Sequence, residues 1–95
     1  MARVTHFYAN DKLTYAATPK KDYTVVDYTI AELESALDPA KFVRIHRSTI
    51  VNLEYVKELH SWFSDRLMLR VNDGKETELT VSRERVRGLK EKLGL

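Results

Sequence analysis

What most limits the fold of this chain is the spacing between its β-prone stretches. Parallel strands need a crossover of a dozen or more residues, and only one connection here is that long. Antiparallel pairing is therefore expected throughout. Val4 to Tyr8 and Lys12 to Thr18 flank Asn10-Asp11, a turn-forming pair that predicts a hairpin, and Pro19 closes the second run. Tyr23 to Tyr28 is β-branched and aromatic and reads as a strand. Apolar runs at Phe42 to Ile45 and Ile50 to Leu53 follow, then strands at Val56 to Phe63 and Leu67 to Val71. Asn72-Asp73-Gly74 predicts a hairpin turn between Leu67–Val71 and a last strand at Thr77–Val81.

Two helical signals interrupt the strands. Thr29-Ile30-Ala31-Glu32 is a capping box, with Leu33 and Leu37 at helical spacing behind it and Asp38-Pro39 ending the helix after about two turns. Ser82 is expected to cap a short C-terminal helix whose apolar positions are Val86, Leu89 and Leu93. The pattern describes an all-β fold of small stacked antiparallel sheets, with one short internal helix and one short terminal helix. With 43% hydrophobic residues and no repeat or linker-like tract, residues 1–95 form a single domain with one modest core.

Composition narrows the chemistry. The chain has no cysteine, which excludes disulfides and thiolate metal sites and suits a reducing cytoplasm. No apolar run approaches the roughly 20 residues of a membrane span, so no membrane contact is expected from this segment. His6, His46 and His60 are scattered without zinc spacing. Ser48 and Ser82 stand in no nucleophile elbow, and no Gly-rich loop follows a strand. Neither catalysis, a metal nor a cofactor is expected.

Charge is polarised along the chain. Every charge from Asp22 to Asp38 is acidic, whereas Lys41, Arg44 and Arg47 form a basic run and Arg83, Arg85, Arg87, Lys90 and Lys92 a second one. Such flanks suit an anion binder, though ordinary solvated charge gives the same pattern. The segment Phe42-Val-Arg-Ile-His-Arg-Ser-Thr-Ile-Val-Asn52 stands out because a compact polar cluster interrupts two apolar stretches. Its alternation suits a strand entering a sharp corner more than a clean amphipathic strand. At that corner Arg47, His46 and Ser48 can all donate to phosphate or to purine edges. His46 also reads equally well as a corner histidine bonded to backbone. Asn52 is expected to bond the turn at Leu53-Glu54.

The stretch FVRIHRSTIVNLEYV resembles the signature of the LytTR family of DNA-binding domains, and TVSRERVRGLKEKLGL is similar to that family's closing pattern. With the upstream helix TIAELESALDP, the likeness runs from about Val4 to Leu93. It implies sequence-specific binding of duplex DNA by the output module of a bacterial transcription regulator, using loops and strand ends in place of a recognition helix. It further implies base reading by Arg47 and Arg83, a contact from the loop at Lys12, and phosphate contacts from Ser48, Arg85, Arg87, Lys20 and Lys21. Repeated promoter elements, a dimer on DNA and a fused receiver or sensor domain upstream complete what the family implies. Only Met1-Ala-Arg3 precede Val4, where many members carry another strand, so a short first sheet with an edge covered by upstream sequence is expected. Two rival readings are an RNA or single-strand binder with a platform from Trp62, Phe63 and the tyrosines, and an interaction domain using a sheet edge. The pair Trp62-Phe63 reads as core.

Overall fold

The computed structural model describes residues 4–19, 24–61 and 67–95. Its elements in chain order are β1 (His6–Asn10), β2 (Leu13–Ala17), β3 (Thr24–Val26), α1 (Ile30–Ala36), β4 (Phe42–His46) and β5 (Thr49–Asn52). A 3₁₀ turn (Leu53–Tyr55) leads into β6 (Val56–Ser61), β7 (Leu67–Val71) and β8 (Glu78–Val81), and a second 3₁₀ turn (Arg83–Arg85) into α2 (Val86–Lys92). The strands form a five-stranded sheet in the order β3-β2-β1-β5-β4 and a three-stranded sheet in the order β6-β7-β8. Every pairing is antiparallel, as the short connections require. The expected short first sheet is not found: β1 lies in the middle of five strands, with β3 and β4 at the edges.

Both faces of the larger sheet are covered, and this explains the odd patterning of β4. On one face Val4, Phe7, Ala16 and Ile50 pack with Ile30 and Leu33 of α1, and Phe42 and Leu37 join them. On the other, Ile45 and Val51 pack with Leu67, Leu69, Val71, Val81 and Leu89, joined by Val43. Phe42 thus points one way and Val43 and Ile45 the other, each into its own apolar cluster. The strand shows no clean polar face because each side meets an apolar cluster, even though only Ile45 is fully buried. A bulge between Arg44 and His46 then turns the chain into the Arg47-Ser48 turn.

Helix α1 forms as its sequence demands. The Thr29 hydroxyl accepts from the Glu32 amide at 3.1 Å, and the Glu32 carboxylate accepts from the Thr29 amide at 2.8 Å. Leu37 is already extended, in keeping with the restriction that Pro39 imposes just downstream. Thr29→Ala is expected to lower stability by about 0.5–2 kcal/mol through the lost cap, measured by urea denaturation. A change below that range would mean that core packing, rather than the box, sets the helix start.

Two local expectations need correction. The first hairpin turns at Asp11-Lys12, one residue later than Asn10-Asp11: Asn10 pairs with Leu13, and both central residues have positive φ, 51° and 71°. That is the left-handed geometry two-residue hairpins favour, with Lys12 standing where glycine or asparagine is usual. The hairpin between β7 and β8, by contrast, forms as expected, and Asp73 organises its loop. Its carboxylate accepts from the amides of Lys75 (2.9 Å) and Thr77 (3.3 Å) and from the Thr77 hydroxyl. Burial pushes the Asp73 carboxyl up, but these hydrogen bonds outweigh it and hold its pKa below the ordinary value. Finally, the Ser82 side chain makes no cap hydrogen bond. Its backbone is used instead, with the Ser82 amide donating to the Ile45 carbonyl at 2.8 Å and the Arg85 amide donating to the Ser82 carbonyl.

Asn52 behaves as expected and does more. Its side-chain oxygen accepts from the Glu54 amide at 3.0 Å while its amide donates to the Val4 carbonyl at 2.8 Å, tying the end of β5 to the strand beside it. Trp62-Phe63, expected in the core, lies outside the described residues. Among the described residues no helix is long and apolar enough to cross a membrane.

Candidate nucleic-acid interface

Three turns far apart in sequence meet at one end of the five-stranded sheet. Strand β1 pairs with β5 so that Tyr8 faces Thr49, and just beyond that pair the Ala9 amide donates to the Ser48 carbonyl at 2.9 Å. The Asp11-Lys12 turn therefore sits beside the Arg47-Ser48 turn. The bond from Ser82 to Ile45 docks the third segment, Arg83–Arg85, against the last residues of β4. Lys12, Arg47 and Arg83 are all exposed there. Among the described residues none of the three enters an ion pair, so their charge is available to an outside anion.

Some cations elsewhere are engaged inside the molecule. On the smaller sheet Arg70 bonds Glu58 at 2.8 Å and Glu78 at 3.1 Å, and Lys57 bonds Glu76 at 3.0 Å. The hydrogen bond to Glu78 is the largest reason that the Arg70 guanidinium is held above its ordinary pKa. A surface whose positive charges are matched by carboxylates has little to offer phosphate.

At the Arg47 corner the polar groups are tightly organised. The Ser48 amide donates to His46 Nδ1 at 3.2 Å, and the Ser48 hydroxyl lies 2.9 Å from the same nitrogen. A backbone amide can only donate, so in the neutral ring Nδ1 accepts and the proton is on Nε2. His46 is thus the backbone-bonded corner histidine, and its outer nitrogen remains a donor. Arg44, read in the sequence only as part of a basic run, turns out to hold this corner from behind. Its Nε donates to the His46 carbonyl at 3.3 Å, its Nη2 to the Arg47 carbonyl, and its Nη1 to Glu34 Oε1 at 2.9 Å. No sequence signal separates a bracing arginine from a binding one. Only the fold of β4 against α1 does.

The remaining candidates divide. Ser48 is half-buried and bonded as described, while Arg87 is exposed at the start of α2. Arg85 is only partly exposed, and its Nη1 lies 3.8 Å from Glu34 Oε2, so it faces α1 rather than standing free. Lys20 and Lys21 lie outside the described residues. A groove of about 460 Å³ runs between this end of the sheet and the Asp73 loop, lined by residues including His6, Tyr8, Ser48 and Lys75. Burial holds the His6 imidazole below its ordinary pKa, with Asp73 partly offsetting it.

Two antiparallel sheets with exposed cations at the turns of one sheet end define a class: a small β domain with a basic end suited to a polyanion. The chain belongs to the LytTR family, for its residues 1–94 match the family profile described as the LytTr DNA-binding domain. It is 36% identical over 87 residues to the transcriptional regulatory protein YpdB of Escherichia coli K12, covering 92% of this chain and 35% of that protein. It is 41% identical over 71 residues to the sensory transduction protein LytT of Bacillus subtilis, covering 75% of this chain and 28% of that one. The chain thus spans about a third of the length of such relatives. Its fold matches the LytTr DNA-binding domain of a putative methyl-accepting/DNA response regulator from Bacillus cereus, with a TM-score of 0.89 and 26% identity over 99% of this chain and 84% of that one.

Proposed function

We propose that this chain binds duplex DNA sequence-specifically as the output domain of a bacterial transcription regulator in the cytoplasm. The observation that carries this reading is the convergence of Lys12, Arg47 and Arg83, exposed and without ion pairs among the described residues, at one end of a sheet whose β4 and β5 pack on both faces. In this reading Arg47 and Arg83 each present two donors to guanine, and the outer nitrogen of His46 adds a further donor. Lys12, Ser48 and Arg87 fix the register through phosphates, as Arg85 does from its exposed side while its Nη1 keeps facing Glu34. A receiver or sensor domain supplies the signal, and two copies sit on repeated elements. The names of the relatives, which include transcriptional regulatory and sensory transduction proteins, support that setting.

The test is binding to a duplex selected from a random pool, against single-stranded RNA, across a salt series. Affinity for duplex is expected to fall steeply with salt, by a slope of about −0.9 in log K against log salt for each phosphate neutralised. A flat response, or a preference for RNA, refutes the reading.

A further inference from the structure

The two arginine corners share one carboxylate. Arg44, whose side chain is only 18% exposed, spreads its guanidinium over the carbonyls of His46 and Arg47 and over Glu34 Oε1. The other oxygen of Glu34 faces Arg85, which belongs to the 3₁₀ turn that carries Arg83. A planar guanidinium fixed at three points cannot swivel as a lysine does. The backbone of the Arg47 turn is therefore held relative to α1, and the Arg83 turn leans on the same helix through Glu34.

We infer that Arg44 and Glu34 are positioning residues that set the aim and spacing of the two reading corners, and so govern DNA discrimination without touching DNA. This rests on the proposal that Arg47 and Arg83 read bases. Simple electrostatics demands something else. A lone acid near the binding end repels phosphate, so removing Glu34 would tighten all DNA binding, and Arg44 as a phosphate ligand would be replaceable by lysine. The two accounts differ in sign.

The experiment measures affinity for the selected duplex and for a random duplex with the parent, Arg44→Lys, Glu34→Gln, Arg47→Ala and the double variant of Arg44→Lys with Arg47→Ala. Each of the two positioning variants is expected to lower the ratio of selected to random affinity about two- to fivefold, the scale of a partly exposed ion pair. Random binding should change little. The base preference should blur at the pairs that Arg47 reads, which a loss of stability alone would not produce. With Arg47→Ala already present, Arg44→Lys should add little. Glu34 is largely solvated, so its variant keeps the test open even if Arg44→Lys melts early. An unchanged ratio in both variants, or tighter binding of both duplexes by Glu34→Gln, overturns the inference. A parent that does not discriminate at all overturns the functional reading beneath it.

Discussion

Arg47→Ala is expected to weaken binding to the selected duplex by about 1–3 kcal/mol, and binding to random duplex far less. The asymmetry follows from chemistry. Phosphates are identical in every sequence, so a side chain that touches only phosphate loses the same affinity everywhere. An arginine forked onto a guanine edge loses its partner only where guanine is present. The structure makes the experiment clean, because the Arg47 side chain is exposed and enters no ion pair among the described residues, while the corner is held through the Arg47 backbone carbonyl. Truncation should therefore spare both the corner and the melting temperature. Arg83→Ala should act in the same way at base pairs displaced along the duplex. Lys90→Ala is the control, expected to weaken both duplexes alike if it has any effect. Equal losses for Arg47→Ala on both duplexes would reduce Arg47 to a phosphate clamp and leave the outer nitrogen of His46 as the next candidate reader.

The largest stability effect is expected at Leu89. It is fully buried and is the residue through which α2 enters the cluster formed by Ile45, Val51 and the smaller sheet. Leu89→Ala should cost about 2–5 kcal/mol, part lost transfer energy and part the cavity left behind. In a domain of this size each kcal/mol moves the melting temperature by about 4–8 °C, and total stability is on the order of 5–15 kcal/mol. A marginal or unfolded protein is therefore the expected result of thermal denaturation. A loss below about 1 kcal/mol would mean that α2 is dispensable to the core. Val86 and Leu93 pack against the same cluster but are only partly buried, whereas Gly88 faces open space, with nothing within 4 Å of an added Cβ.

What the sequence discloses and what it hides divide by range. The capping box at Thr29 and Glu32, the helical spacing of Leu33 and Leu89 and the turn role of Asn52 are settled within a few residues, and each is legible from the chain alone. The hairpin at Asp11-Lys12 is legible as a turn but not in its register, because local preference favours Asn10-Asp11 for the left-handed positions and the pairing of Asn10 with Leu13 overrides it. The hairpin at Asn72-Asp73-Gly74 is legible too, although the three hydrogen bonds that the Asp73 carboxylate accepts within its loop are not. The pairing of β1 with β5, which brings Lys12 to Arg47, joins segments about forty residues apart and leaves no local mark. Arg44 escapes for a related reason. Its neighbours in sequence are basic and apolar, and the carboxylate that defines its role comes from α1.

The same long-range pairing makes binding competence inseparable from completed folding. The binding end is a discontinuous surface, assembled from the first hairpin, the middle of the chain and the segment entering α2. A peptide spanning the Arg47 corner would carry the arginine but neither the Glu34 anchor nor the neighbouring turns. On the proposed reading, sequence-specific affinity is not expected during synthesis until Ser82 has emerged to dock on Ile45. A cut anywhere between β1 and β8 that lets the strands part would silence the domain even with every cation intact.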